Sequence, residues 1–233
     1  MKRILSFELV RIKTMRSSWL FPFIGAVIAW AASAMFVRTA TPGVSIPFLS
    51  FVGNAYTPLS ILFITIPAAQ AFGHEYRDGT MRLTLSEFPK RTQVFFAKLL
   101  MPALVAFIWS VVTFAGIYVI CMTGPVTGFD QLLPATLRFA LYTVAWGLLV
   151  AAVTAITRNL AAGVAGILVW GLILEQLFGS MLSTKFPVLT NYLPIIQGLV
   201  WSSTGNVNSG LVLLATVIII VGYAFIRFVK RDA

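Results

Sequence analysis

Long apolar runs separated by short polar segments dominate this chain. A bilayer core of about 30 Å is crossed by roughly 20 apolar residues in a helix, and six of the runs reach that length. They cover residues of about 19–37, 50–72, 94–121, 134–156, 160–179 and 209–228. The pattern predicts an all-α polytopic membrane protein with six transmembrane helices, built as a single transmembrane domain over residues 1–233.

The composition supports the same class of protein. Hydrophobic residues make up 59% of the chain and charged residues 10%, whereas a soluble domain carries about 25% charged residues. Because so few charges cannot cover a water-exposed surface, the chain belongs in a bilayer. Cys121 is the only cysteine, which excludes an internal disulfide bond.

The cations are distributed unevenly between the segments that join the runs. With the N-terminus inside, 14 of the 17 lysines and arginines fall on the cytoplasmic side, as the positive-inside rule requires. The other three are Arg38, Arg138 and Lys185. The distribution predicts a multi-pass protein of the cell (inner or plasma) membrane with both termini cytoplasmic. Topology and anionic membrane lipid then explain the net charge of +10, and no nucleic-acid partner is required.

The N-terminal segment MKRILSFELVRIKTMRSSW precedes the first run and carries five cations. It has no clear cleavage site, so we expect the first run to remain as a membrane anchor. As a helix the segment is only weakly amphipathic, because Glu8 falls within its apolar face. That face is formed by Met1, Ile4, Leu5, Leu9, Ile12 and Met15.

The segment between the fifth and sixth runs, residues 180–208, is long yet apolar in its middle. A solvated loop would be more polar. We therefore expect this segment to re-enter the membrane or to lie in its interface as short helices, with Pro187 and Pro194 as breakers.

The sequence lacks the motifs of several enzyme classes. There is no GxxxxGK[ST] motif to bind ATP phosphates and no GxSxG nucleophile motif. One histidine and one cysteine cannot form a usual structural zinc site. We expect that this chain is not an enzyme and binds no cofactor of its own.

Charge is concentrated in FGHEYRDGTMRLTLSEFPKR, residues 72–91, which holds seven charged residues and the only histidine. A solvated loop that fixes topology needs cations only, whereas this segment also contains three carboxylates. Met81, Leu83 and Leu85 lie among the charges and suit a docking surface. Lys98, just inside the third run, is expected to extend back to the interface.

The segment GHEYRDGTMRLTLSEFPKRTQVFFAKLL, residues 73–100, closely resembles the region after the second span in ABC-2-type transporter permeases. The matching residues, in order, are Glu75, Arg77, Gly79, Thr80, Arg82, Thr84, Leu85, Pro89, Arg91 and Lys98. Glu87 and Phe88 depart from the family pattern, which is usually small or apolar there. In the family this cytoplasmic segment, between spans 2 and 3, is the coupling helix against a separate ATP-binding subunit. The resemblance therefore implies that the residues that couple to the ATPase are Glu75, Arg77, Asp78, Gly79, Thr80, Met81, Arg82, Thr84 and Leu85.

The resemblance extends over most of the chain. Residues 157–178 resemble the entry to the fifth span, and NYLPIIQGL, residues 191–199, resembles the Leu-Pro segment before the sixth. FELVRIKTMRSSW, residues 7–19, resembles the family's N-terminal interfacial helix. The residues that carry this last resemblance are Glu8, Arg11, Lys13, Arg16 and Trp19.

The family also implies partners. Two copies of an ATP-binding subunit and a second permease, identical or different, complete the transporter, and the ATP-binding subunits hold ATP and Mg²⁺. The expected function is ATP-driven export of a hydrophobic or amphipathic substrate such as a drug, peptide or lipid-like molecule. A non-transporting membrane scaffold or immunity subunit and a secondary transporter are the alternative functions. A secondary transporter should show mid-membrane charges or paired broken helices.

Glu175 is the one acidic residue deep in an apolar run. A carboxylate in hydrocarbon costs a few kcal/mol, so such a residue is a candidate for a gate or substrate path. The other interpretation is structural, with Glu175 near the outer end of the fifth span and hydrogen-bonded to local donors. Both interpretations stay open at the level of sequence.

Overall fold

A computed structural model of the chain describes residues 2–39, 46–128 and 132–230, with the side chains of residues 2, 46–60, 184 and 187 outside the description. The described residues are almost entirely helical. The helices are α1 (Lys2–Thr14), α2 (Arg16–Thr39), α3 (Phe48–Arg77), α4 (Met81–Glu87), α5 (Arg91–Cys121), α6 (Leu132–Thr157), α7 (Leu160–Leu168), α8 (Glu175–Lys185), α9 (Pro187–Thr190), α10 (Pro194–Thr204) and α11 (Val207–Lys230). Two short strands, β1 (Ile46–Pro47) and β2 (Val126–Thr127), pair in parallel, with Ile46 opposite Val126.

Five helical segments of the described residues are long and apolar enough to cross a membrane, and a polytopic all-α membrane protein follows from them. These segments are Arg16–Thr39, Arg91–Cys121, Leu132–Thr157, Leu160–Ser183 and Val207–Lys230. They match the first, third, fourth, fifth and sixth runs of the sequence. The second run, about 50–72, falls within α3, of which part of the side chains is outside the description.

Helix α6 forms the centre of the bundle. It packs against α3, α5, α7, α10 and α11. Of its most apolar stretch 67% is buried inside the protein, against 17% for α11. The buried face of α6 combines large residues such as Tyr142 and Trp146 with small ones such as Ala151.

The fifth run forms one continuous helix that changes its winding. Between α7 and α8, Val169–Leu174 form a π-helix, so the helix reaches Lys185 rather than the predicted end near residue 179. Within the π-helix, a Cβ atom at Gly171 would lie 2.4 Å from Trp146 Cη2. Only glycine therefore lets this segment approach α6 so closely.

The apolar segment 180–208 forms short helices, as predicted. Pro187 and Pro194 each occupy the first turn of a new helix, where the missing N–H of proline does no harm. Gly205 ends α10 with a φ of 77°, a conformation that glycine adopts readily. Helix α10 packs against α3, α6 and α11 and so belongs to the bundle.

The ends of α3, α5 and α11 share an aromatic core. The ring centroids of Phe72 and Phe95 are 5.7 Å apart, and Phe228 lies 5.8 Å and 5.5 Å from them. Ile4 of α1 and Met81 of α4 pack on the same core. This end of the bundle therefore holds the two short helices, α1 and α4, against the long ones.

Candidate functional site: a buried charge cluster joining α1, α3 and α5

Four charged side chains meet beside the aromatic core. Glu8 and Arg11 come from α1, Glu75 from the last turn of α3, and Lys98 from the second turn of α5. Glu8 is 2% exposed, Glu75 6% and Lys98 0%. We call these four residues the charge cluster.

Lys98 is the centre of the charge cluster. Its Nζ donates to Glu8 Oε1 at 2.7 Å and also donates to Glu75 Oε1. The two acidic residues are 90 and 23 positions away in sequence. One ammonium group therefore joins three helices.

Arg11 closes the charge cluster from the side of α1. Its Nη1 donates to Glu75 Oε1 at 2.8 Å and to Glu8 Oε2 at 3.1 Å. Its Nη2 donates to the carbonyl oxygens of Gln70 and Ala71 at 2.6 Å and 3.2 Å. The guanidinium group thus fixes α1 both to the carboxylate and to the backbone of α3.

Two cations balance two anions in the charge cluster. Taking charges out of water is costly, and the cost is recovered only where partners and hydrogen bonds are well placed. The bonds of Lys98 and Arg11 meet this condition for Glu8 and for one oxygen of Glu75, whereas Glu75 Oε2 is buried without a hydrogen-bond partner among the described residues. The charges of this buried set are balanced and its hydrogen bonds are directional. The set therefore holds α1, α3 and α5 in one relative position.

The sequence-based expectation for Lys98 is wrong. Instead of extending to the interface, its side chain is fully buried and bonded to Glu8 and Glu75. These bonds also explain why Glu8 interrupts the apolar face of α1. Glu8 points inward toward Lys98, together with Ile4 and Arg11. Leu9, expected on the apolar face, is 47% exposed, and Lys13 and Arg16 are exposed on the surface.

The predicted coupling segment is interrupted between α3 and α4. Helix α3 ends at Arg77 and α4 begins at Met81, because Gly79 takes a φ of 68°. Arg77 Nε donates to Asp78 Oδ1 at 2.9 Å on the surface. The Asp78 pKa is lowered, chiefly by this hydrogen bond. Residues 77–80 are all exposed.

Helix α4 has an inner and an outer face. Met81 and Thr84 are buried and Leu85 is half-buried, because their spacing of three and four residues places them on one side of a helix. Arg82 is exposed, and Leu83 is 69% exposed. The apolar docking surface expected from Met81, Leu83 and Leu85 is therefore reduced to Leu83.

A cleft of about 500 Å³ separates α1 from α4. Phe7 and Met15 line it from α1, and Leu83 and Glu87 line it from α4. Arg11 and Glu75 of the charge cluster also line this cleft. The charge cluster is thus directly behind the surface that the coupling segment exposes.

His74 lies beside the charge cluster and lines the same cleft. Its pKa is lowered from the ordinary value of 6.5 by burial, then by Arg77 and Arg11. Its Nε2 is buried without a hydrogen-bond partner among the described residues. His74 is therefore held in its neutral form at neutral pH.

We expect the protein to lose stability as the pH falls below 6.5, the ordinary value for histidine. The unfolded chain then binds a proton at His74 that the folded protein does not yet accept, so acid favours unfolding. A His74→Gln variant should unfold like the wild type at about pH 7.5 but lose less stability at about pH 5.5. Thermal unfolding in detergent measures the difference, and identical pH profiles would contradict this role for His74.

Glu175 lies elsewhere, where α8 meets α10. Its Oε1 accepts hydrogen bonds from the backbone N–H groups of Ile195 and Ile196 at 2.5 Å and 2.8 Å. These N–H groups belong to the first turn of α10, which has no side-chain cap of its own. Glu175 is 0% exposed, and its carboxyl group lies at the positive end of the helix dipole.

The predicted residues lie in different places in the structure. Glu8, Arg11 and Glu75 come together in the charge cluster. Arg77, Asp78, Gly79, Thr80 and Arg82 form the surface beside it, whereas Met81, Thr84 and Leu85 face the core. Glu175 is remote from all of these residues. The place of Lys98 in the charge cluster was not predicted, although a lysine inside an apolar run is a signal for it.

Comparison of the chain with protein-family models and with curated proteins found no match in either. Among the residues that the structure describes, no group of three or more histidine, cysteine, aspartate or glutamate side chains could hold a metal ion. The function therefore has to be inferred from the sequence pattern and from the geometry around the charge cluster.

Proposed function

We propose that this chain is the permease subunit of an ATP-driven ABC transporter, driven by a separate ATP-binding subunit. One observation carries the proposal: the segment that resembles the family's coupling helix is exposed at 77–80 and at 82–83 and is anchored from behind by the charge cluster. A surface of this kind suits a partner that pushes on the membrane helices.

The anchoring is what makes the surface suitable for coupling. A movement of the partner has to reach α5 without being absorbed by side-chain motion. Glu75 is only two residues before Arg77 and is bonded to Lys98 of α5 and Arg11 of α1. A displacement of residues 77–83 is therefore transmitted to α1 and α5 together, because densely packed, hydrogen-bonded groups are hard to deform.

The finer parts of the proposal follow from the family resemblance. The chain has six spans, with α3 as the second, and α1 lies in the cytoplasmic interface. Two permeases and two ATP-binding subunits assemble. Glu75, Arg77, Asp78, Gly79, Thr80 and Arg82 belong to the coupling region. The cargo is hydrophobic or amphipathic and leaves the cell.

The direct test replaces the two exposed residues of α4 and leaves the charge cluster intact. We expect Arg82→Glu combined with Leu83→Asp to abolish copurification of an ATP-binding subunit and substrate-stimulated ATP hydrolysis. The variant should insert and fold normally, since both side chains are on the surface. The measurement is affinity purification of the full chain from its native membrane, with mass spectrometry and an ATPase assay.

Lys185→Glu is the matched control, because it reverses an exposed cation at the end of α8. It should leave both readouts unchanged. A wild-type chain that purifies without any P-loop ATPase would contradict the proposed function. Copurification that survives the double substitution would instead show that the ATPase docks elsewhere.

A further inference from the structure

An apolar groove of about 400 Å³ lies between α6 and α11. Leu141 and Leu148 of α6 and Leu214 and Val217 of α11 line it, and Trp201 of α10 lies at its side. The lining residues of α6 span about 10 Å at 1.5 Å per residue. Both walls belong to helices long and apolar enough to cross the membrane, so the groove has the chemistry of an acyl-chain site and the length of part of one chain.

A cation lies at one end of this groove. Arg138 precedes Leu141 by three residues, which places both on one face of α6. Arg138 Nη1 lies 2.5 Å from the position that a Cβ atom would take at Gly205. The guanidinium group is therefore packed against the turn that leads into α11, two residues before Val207 of the groove lining.

The charge of Arg138 is not compensated within the described part of the chain. Its Nε and Nη2 are buried and have no hydrogen-bond partner there. A half-buried guanidinium group in this state is unfavourable unless an anion approaches it. Phosphate is a strong partner for arginine because both form charge-assisted hydrogen bonds in matching geometry.

We propose that this groove binds an anionic phospholipid, with the phosphate at Arg138 and one acyl chain along α6 and α11. A second copy of this chain fits the groove less well, because it would have to bring an acidic residue to Arg138. The exposed acidic residues that the structure describes are Asp78 and Glu87, and both lie at the opposite end of the bundle, beside the core that contains Ala151 of α6. The proposal requires a membrane setting but does not depend on the transport function.

The test uses the purified full chain in detergent with added phosphatidylglycerol or phosphatidylcholine, and counts the retained lipids by native mass spectrometry. The wild type should retain phosphatidylglycerol in preference to phosphatidylcholine. Arg138→Gln should weaken phosphatidylglycerol retention roughly fivefold, as expected for one cation at a lipid surface. Arg38→Gln, at the exposed end of α2, should have no effect.

Leu214→Trp tests the apolar half of the site, because it fills the groove at a residue that is 54% exposed and does not disturb the core. It should lower the retention of both lipids. Equal phosphatidylglycerol retention by the wild type and Arg138→Gln would overturn the proposal. So would displacement of the lipid by inorganic phosphate alone, or a dimer of the chain that excludes lipid from the groove.

Discussion

Replacing Lys98 with methionine is expected to lower the free energy of unfolding by about 3–5 kcal/mol, because breaking a buried ion cluster leaves charge uncompensated. Methionine preserves most of the side-chain volume, so the loss reports on charge and hydrogen bonds. Glu8 and Glu75 would then face each other with only Arg11 between them. The measurement is reversible unfolding in mixed detergent micelles.

Two further variants separate this effect from a general loss of packing. Lys90→Met removes an exposed cation just before α5 and should change stability by less than about 0.5 kcal/mol. Lys98→Met combined with Glu8→Gln restores the balance of charge, and should recover at least about 1 kcal/mol of the loss. A double variant as unstable as the single variant would contradict ionic compensation as the role of Lys98.

Replacing Glu175 with alanine is expected to destabilise the protein by about 3 kcal/mol, since each buried donor left without an acceptor costs about 1–3 kcal/mol. The N–H groups of Ile195 and Ile196 would be left buried without an acceptor. Glu87→Ala, at an exposed position, is the control and should be close to neutral. Unfolding in mixed micelles again gives the comparison.

Glu175→Gln distinguishes the two interpretations of this residue. Glutamine keeps an acceptor for α10, so we expect nearly normal stability and insertion. The second oxygen of Glu175, Oε2, does not cap α10, and among the described residues it is buried without a hydrogen-bond partner. It is the part of the carboxyl group that a gate or substrate path would use. We expect lower transport by Glu175→Gln. Full transport by a well-expressed variant would leave only the helix cap as its role.

The long helices could be predicted from the sequence because a lipid-facing helix must be apolar along its whole length. Four runs agree with α2, α5, α6 and α11 to within about three residues at each end, and the short helices within residues 180–208 also follow from its composition. The winding of the fifth run into a π-helix was not predicted, since hydropathy averages over any local change of helical pitch.

The candidate site was predicted only in part. The charged segment 72–91 contains Glu75, but neither hydropathy nor spacing shows that its partner Arg11 is 64 positions away. A helical wheel treats Glu8 as a defect in an apolar face, because the wheel contains no information about Lys98. The inward orientation of Met81 depends on the aromatic core beneath α4, which forms only when distant helices pack together.

The charge cluster also has a consequence for the order in which the chain assembles. Glu8 and Arg11 pair within α1 itself, so this helix is electrically neutral at the cluster before it meets anything else. Glu75 and Lys98 form a second neutral pair when α3 and α5 come together. Because each half is balanced on its own, α1 can dock before or after α3 and α5 have paired without leaving an unpaired ion in the assembled cluster.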